Sequence, residues 1–199
     1  GLKNTGAVAP SYKADLLVLD DLDKVIVRDV YKNGEKVVSD GKTLCFDMPK
    51  INDALEKKVR SSFNLPMLSS SDFAVDYNGK RKCHVISLVD GQLLTDDLVS
   101  DIDFDCNNGI DIEHDILKIA VIERHHNTGH IGNAFIKGIG LKEGAIASSV
   151  AHDSHNLIVI GTNTDDMAFA ANRIRELGGG IVSVKNGKVV AEMPLPIGG

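Results

Sequence analysis

The segment Gly144-Ala-Ile-Ala-Ser-Ser-Val-Ala-His-Asp-Ser-His-Asn-Leu-Ile-Val-Ile-Gly161 constrains this chain more than any other. Two apolar runs read as buried strands. Between them sit His152, Asp153, Ser154, His155 and Asn156, five groups that bind protons or hydrogen bonds. Such a cluster costs free energy when desolvated without partners. A fold that buries both flanking runs must therefore hold this turn at its wet edge, or give it a use.

Around this segment the chain is rich in strands and turns. Ala14-Asp-Leu-Leu-Val-Leu-Asp20 and Val25-Ile-Val-Arg-Asp-Val-Tyr31 read as strands, and Asn33-Gly34 is a hairpin turn that needs positive φ before Glu35-Lys-Val-Val-Ser39 returns. So short a piece cannot bury a core alone and must pack on something else. After Pro49, the i, i+4, i+8 spacing of Ile51, Leu55 and Val59 predicts a helix with one apolar stripe. Residues 63–71 read as a loop. A boundary near residue 46 divides the chain into units 1–46 and 47–199.

In the second unit, Cys83 to Val89, Asp101 to Cys106, Ile116 to Glu123, Ala145 to Ala151 and Leu157 to Ile160 read as strands. Asn107-Asn-Gly109 is expected to turn the second of these back into Ile110-Asp-Ile-Glu113. A helix over 165–177 is capped by Thr164, buries Met167, Ala170, Ala171, Ile174 and Leu177, and stops at Gly178-Gly-Gly180. A hairpin about Asn186-Gly187 follows. Hairpins with few helices predict an α+β fold of mixed or antiparallel sheets.

The 199 residues carry a net charge of -6, which argues against nucleic-acid binding. The clusters at Lys57, Lys58, Arg60 and at Lys80-Arg81-Lys82 read as a solvated helix face and a basic loop. Three dispersed cysteines without C-x-x-C argue against a disulfide framework or a cysteine zinc site. With no leader and no apolar run of ~18 residues, the expected location is the cytoplasm and no membrane partner is expected.

Seven histidines are present, five of them in two clusters. The first is Arg124-His-His-Asn-Thr-Gly-His130, at a strand end where sites commonly lie. His125 and His126 would point to opposite faces of a strand, so both could hardly bind one metal there. The second is His152-Asp-Ser-His155, in which Asp153 could orient an imidazole. The H-E-x-x-H pattern and the G-x-S-x-G elbow are both missing, so neither a zinc protease nor a serine nucleophile is supported. Two readings stay open: a site, or a polar turn that bonds its own backbone. A self-contained metal hydrolase built from His126, His130, His152 and His155 is a further alternative.

Several blocks carry a resemblance: the Gly144-to-Asn156 segment, Val121-Ile-Glu-Arg-His-His126, Phe135-Ile-Lys-Gly-Ile-Gly-Leu-Lys142, Gly178-Gly-Gly-Ile181 and Pro194-Leu-Pro-Ile197. Together they resemble the carboxyl-terminal domain of bacterial adenine deaminases. The opening Gly6-to-Asp20 stretch resembles the close of the small β domain of amidohydrolase-superfamily enzymes, with Ser11 where those usually have Gly.

The resemblance implies a parent enzyme of purine salvage that hydrolyses adenine to hypoxanthine and ammonia. It implies an upstream (β/α)8 barrel holding a manganese or iron pair, with an activated water attacking C6. A barrel needs ~250 residues, and no H-x-H occurs here, so the metal ligands are expected outside this chain. The chain is then expected to hold no complete catalytic set and no cofactor, and to be inactive alone. Its expected partners are the missing barrel, adenine and further copies in a homo-oligomer. Arg124, His125, His126, His152, Asp153 and His155 are the candidate pocket or interdomain residues. A purely structural or dimerising module is the competing reading.

Overall fold

The computed structural model describes residues 3–44 and 50–199. The chain divides into two compact units, Gly1–Ile51 and Asn52–Gly199. The expected boundary near residue 46 and Pro49 lie outside the described residues.

The first unit is a four-stranded antiparallel sheet: β1 (Leu16–Asp21), β2 (Ile26–Lys32), β3 (Glu35–Ser39) and the short β4 (Lys42–Thr43), in that order. Asn33 (φ 50°) and Gly34 (φ 86°) form the tight turn between β2 and β3, whose twist matches that of the flanking strands. Among its described residues no apolar side chain is buried; the buried residue is Asp29. Burial raises the Asp29 pKa, but the Asp40 amide, Arg28 and Lys36 outweigh that and lower it overall.

The second unit is built on an eight-stranded sheet. Its strands are β5 (Lys80–Leu88), β6 (Thr95–Asp103), β7 (Ile116–Ile122), β8 (Ile131–Lys137), β9 (Ala145–Ser148), β10 (Leu157–Gly161), β11 (Gly180–Lys185) and β12 (Lys188–Pro194). The spatial order is β12-β11-β9-β10-β7-β8-β5-β6. β5 and β8 run parallel and the other neighbours antiparallel. Helix α2 (Thr164–Leu177) lies on one face. Its Met167, Ala170, Ala171 and Ile174 pack on Ala120, Ile122, Ala147, Leu157, Val159 and Val182. Gly161 is needed beneath Met167, because a Cβ there would strike the Met167 side chain. A second cluster, with Val85, Ile102, Phe104, Ile116 and Phe135, fills the β5–β6 end.

Lys118, in the middle of β7, is fully buried on the α2 side. Its Nζ donates to the Phe73 carbonyl and to Asn108 Oδ1. Burial lowers its pKa to about 8. Asn108 (φ 51°) also holds both the amide and the carbonyl of Val75.

The α+β class with mostly antiparallel sheets is as expected, and so are most elements. Several local readings are corrected. β6 begins at Thr95, and Asn107–Gly109 is a 3-10 turn that does not lead into a strand at 110–113. Asn108 spends its side chain on Val75 and Lys118, and Ile110 packs on the sheet beside Leu117 and Ile136. β8 is a central strand that was not among those read from the sequence. Gly132, Asn133 and Ala134 have weak strand preference, and pairing with β7 decides their state. The apolar stripe of the first helix is not buried. The helix α1 (Asp53–Arg60) buries no residue and is supported by the Asn52 cap and the Arg60–Glu56 pair. The cap of α2 is Asn163, whose Oδ1 accepts from the Asp166 amide at 2.7 Å, leaving Thr164 as the first helical residue. Lys80-Arg81-Lys82 begins β5 and is no loop, though it is exposed as expected.

Candidate functional site

Strand pairing brings the two histidine clusters together. β7 ends at Ile122, directly opposite Leu157 at the start of β10, and Ile131 opens β8 opposite Ile122 on the other side. The connections 123–130 and 149–156 therefore leave the sheet at the same end.

Two contacts join them. Arg124 is 3% exposed, and its Nε donates to the His155 carbonyl at 2.7 Å. Its Nη2 donates to Gly198 O at 2.9 Å, and the guanidinium lies 5.0 Å from the Phe63 ring centroid. Burial lowers its pKa. Among the described residues Arg124 has no ion-pair partner. His125 Nε2 lies 3.0 Å from Ser154 O. A carbonyl only accepts, so that nitrogen carries the proton in this contact.

Glu123 organises the first connection. Its carboxylate accepts from the amides of His125, His126 (2.8 Å) and Thr128 (3.1 Å) and from Thr128 Oγ1 (2.9 Å). Burial pushes its pKa up, but these hydrogen bonds win and hold it at about 2. Sequence reasoning passed over Glu123. The signal was an acid directly after a buried strand, with Thr128 five residues on. Asn64 was also missed: its backbone amide donates to Arg124 O and its side chain to His125 O.

The second connection holds itself. His155 N donates to Ala151 O at 2.8 Å and Ser154 N to His152 O at 2.9 Å. Asp153 (φ 66°) and His155 (φ 49°) adopt left-handed backbone. His152 Nδ1 lies 3.0 Å from Asp153 Oδ1, with the two side chains 97% and 90% exposed. His126, His130 and His155 are exposed as well. Among the described residues no three His, Cys, Asp or Glu side chains are placed to share a metal ion. His126, His130, His152 and His155 thus do not come together as a metal centre.

Beside the first connection is a shallow cleft of about 430 Å³ lined by Val121, Glu123, His130, Ile131, Gly132 and Asn156. A larger cavity of about 530 Å³ lies at the β6 side, lined by Asp101, Asp103, Cys106 and Asp111 among others, and it contains no histidine. Chemistry-bearing side chains thus collect at one sheet end without closing into a pocket around a reactive centre.

Fold and site together define a strand-rich α+β domain that presents polar loops at a sheet edge. Residues 92–199 match the family described as the adenine deaminase C-terminal domain, and the chain belongs to that family. It is similar along its whole length to curated adenine deaminases. It is 41% identical over 201 residues to that of Lysinibacillus sphaericus (strain C3-41), and 43% over 199 residues to that of Petrotoga mobilis (strain DSM 10674 / SJ95). It is 42% identical over 200 residues to that of Desulfatibacillum aliphaticivorans. In each case the match takes in 100% of this chain and 34% of the relative. The chain therefore spans about a third of the length of these relatives, and it corresponds to their carboxyl-terminal part.

Proposed function

We infer that this chain is the carboxyl-terminal portion of an adenine deaminase that hydrolyses adenine to hypoxanthine and ammonia in purine salvage. The similarity carries this reading: identity above 40% runs through the whole chain to enzymes of that name. In this reading the divalent metal pair, manganese or iron, is held by the region ahead of this chain. The loops bearing Arg124, His125, His126, His152, Asp153 and His155 border that region's active-site mouth, or a neighbouring subunit of a cytoplasmic homo-oligomer. The chain alone has no activity.

The test is release of ammonia from adenine, with manganese added. A protein of the relatives' full length turns adenine over, and the 199-residue chain does not. Robust turnover by the chain alone, or none by the full-length protein, overturns the reading. Metal analysis of the full-length protein returns manganese or iron in stoichiometric amount, and zinc alone would reject that assignment.

One observation favours a second reading. Inside the 151–156 turn His155 N donates to Ala151 O and Ser154 N to His152 O, the local bonding that a purely structural or dimerising module would use. In the full-length protein, replacing His152 and His155 by Ala separates the two. A fall in kcat supports the bordering role, whereas unchanged kcat with lowered Tm supports the structural one.

A further inference from the structure

Strand alternation gives the large sheet two faces, and they are finished differently. The α2 side holds Lys118, Ala120, Ile122, Leu157 and Val159, all buried. On the opposite side, register places Val121 beside Ile158, and Ile119 beside Ile160. Ile160 is next to Ile146, and Ser148 lies between Ile158 and Ile181. An antiparallel sheet that keeps one face in water normally alternates apolar-in and polar-out. This sheet departs from that pattern: apart from Ser148 and Ser183, its outer positions here are aliphatic.

Part of the outer face is covered. Ile110, Ile112, Ile139 and Leu141 fold over Leu117, Ile119, Ile136 and Ile160. The part toward the histidine loops is open, with Val121, Ile146 and Ile181 exposed by 38%, 36% and 43%. Exposed aliphatic residues gathered on one sheet face point to an interaction surface. Val121 and the adjoining Gly132 also line the cleft that holds Glu123, His130 and Asn156. A body seated on the open face therefore meets the 123–130 connection.

The relatives say what is available to sit there. About two thirds of each relative's length lies outside the matched part, and the matched family is a carboxyl-terminal domain, so an amino-terminal region is available in them. We propose that the open aliphatic face around Val121, Ile146, Ile158 and Ile181 is the docking surface for that amino-terminal region. The proposal rests on reading this chain as the carboxyl-terminal portion of a longer protein. Seating there would bury the aliphatic positions and bring the loops of Arg124, His125 and His155 against the docked region.

The experiment is cysteine alkylation at Ile146→Cys and Ile181→Cys, with Leu93→Cys as a fully exposed control. Rates are read peptide by peptide with mass spectrometry, in the 199-residue chain and in the full-length protein, after circular dichroism has confirmed folding. Residues buried at an interface core lose solvent access, so alkylation at 146 and 181 should be at least about tenfold slower in the full-length protein. The rate at 93 should be the same in both. Equal rates at 146 and 181 in the two proteins overturn the proposal. So does slow alkylation in the 199-residue chain alone: if dilution speeds it, a second copy covers the face. Adenine turnover by the same full-length protein keeps the two claims apart. Protected cysteines without ammonia release leave the docking surface standing and reject the deaminase reading, and ammonia release with unprotected cysteines does the reverse.

Discussion

Two residues of the second unit, neither of them a histidine, have strongly shifted pKa values that tie its structure to pH. Lys118 Nζ is buried against two neutral oxygen acceptors, and among the described residues it has no carboxylate partner. Its folded pKa of about 8 lies below the ordinary 10.5. The unfolded chain therefore binds more protons between those values, and stability must rise with pH through that window. Urea unfolding followed by circular dichroism should show a gain of about 2–3 kcal/mol from pH 8 to pH 10, and Lys118→Met should flatten it. Glu123 has the opposite sign. Its pKa, held at about 2, makes the support it lends the 123–130 connection present at neutral pH and lost as pH falls from about 4.5 toward 2. Glu123→Gln keeps the shape and removes the charge. Protease cleavage within residues 124–130 should become roughly several-fold faster at pH 7, with the rest of the unit unaffected. Unchanged cleavage would mean that the hydrogen bonds to Glu123 do not order that connection.

At the scale of elements, α2 is, among the described residues, the one α-helix with a core face. Its cap and its anchor are separable. Asn163→Ala removes the acceptor for the Asp166 amide and should cost about 1 kcal/mol. Met167→Ala empties a fully buried position over Gly161 and should cost about 2–5 kcal/mol. Both are read as shifts in urea midpoint at constant m. α2 was legible because every local cue agreed: two acids in the first turn, an apolar stripe at helical spacing and Gly178 as a left-handed stop. The hairpin turn at Asn186 (φ 51°) and Gly187 (φ 67°) was legible for the same reason. α1 was legible as a helix, but a stripe of three apolar residues does not specify that anything covers it. β8 was missed because Gly132, Asn133 and Ala134 carry no strand cue. Its order comes from β7 on one side and β5 on the other.

For the whole molecule, the two units differ in what holds them together. The first buries no apolar side chain among its described residues, whereas the second has two large apolar clusters. Local opening follows burial. Backbone amides of β1–β4 should therefore exchange hydrogen well before those of β7, β9 and β10, and equal protection would contradict this. The sequence by itself determined the α+β class, most strand positions, the helix over 165–177 and the family, because these depend on local periodicity, turn chemistry and motif order. It also marked the two histidine clusters. Only tertiary structure decided that they leave the sheet at one end, that Arg124 and Glu123 organise the turn region, and that one sheet face stays open. Those outcomes depend on strand register, and register couples residues some thirty positions apart, such as Arg124 and His155, that no local pattern links.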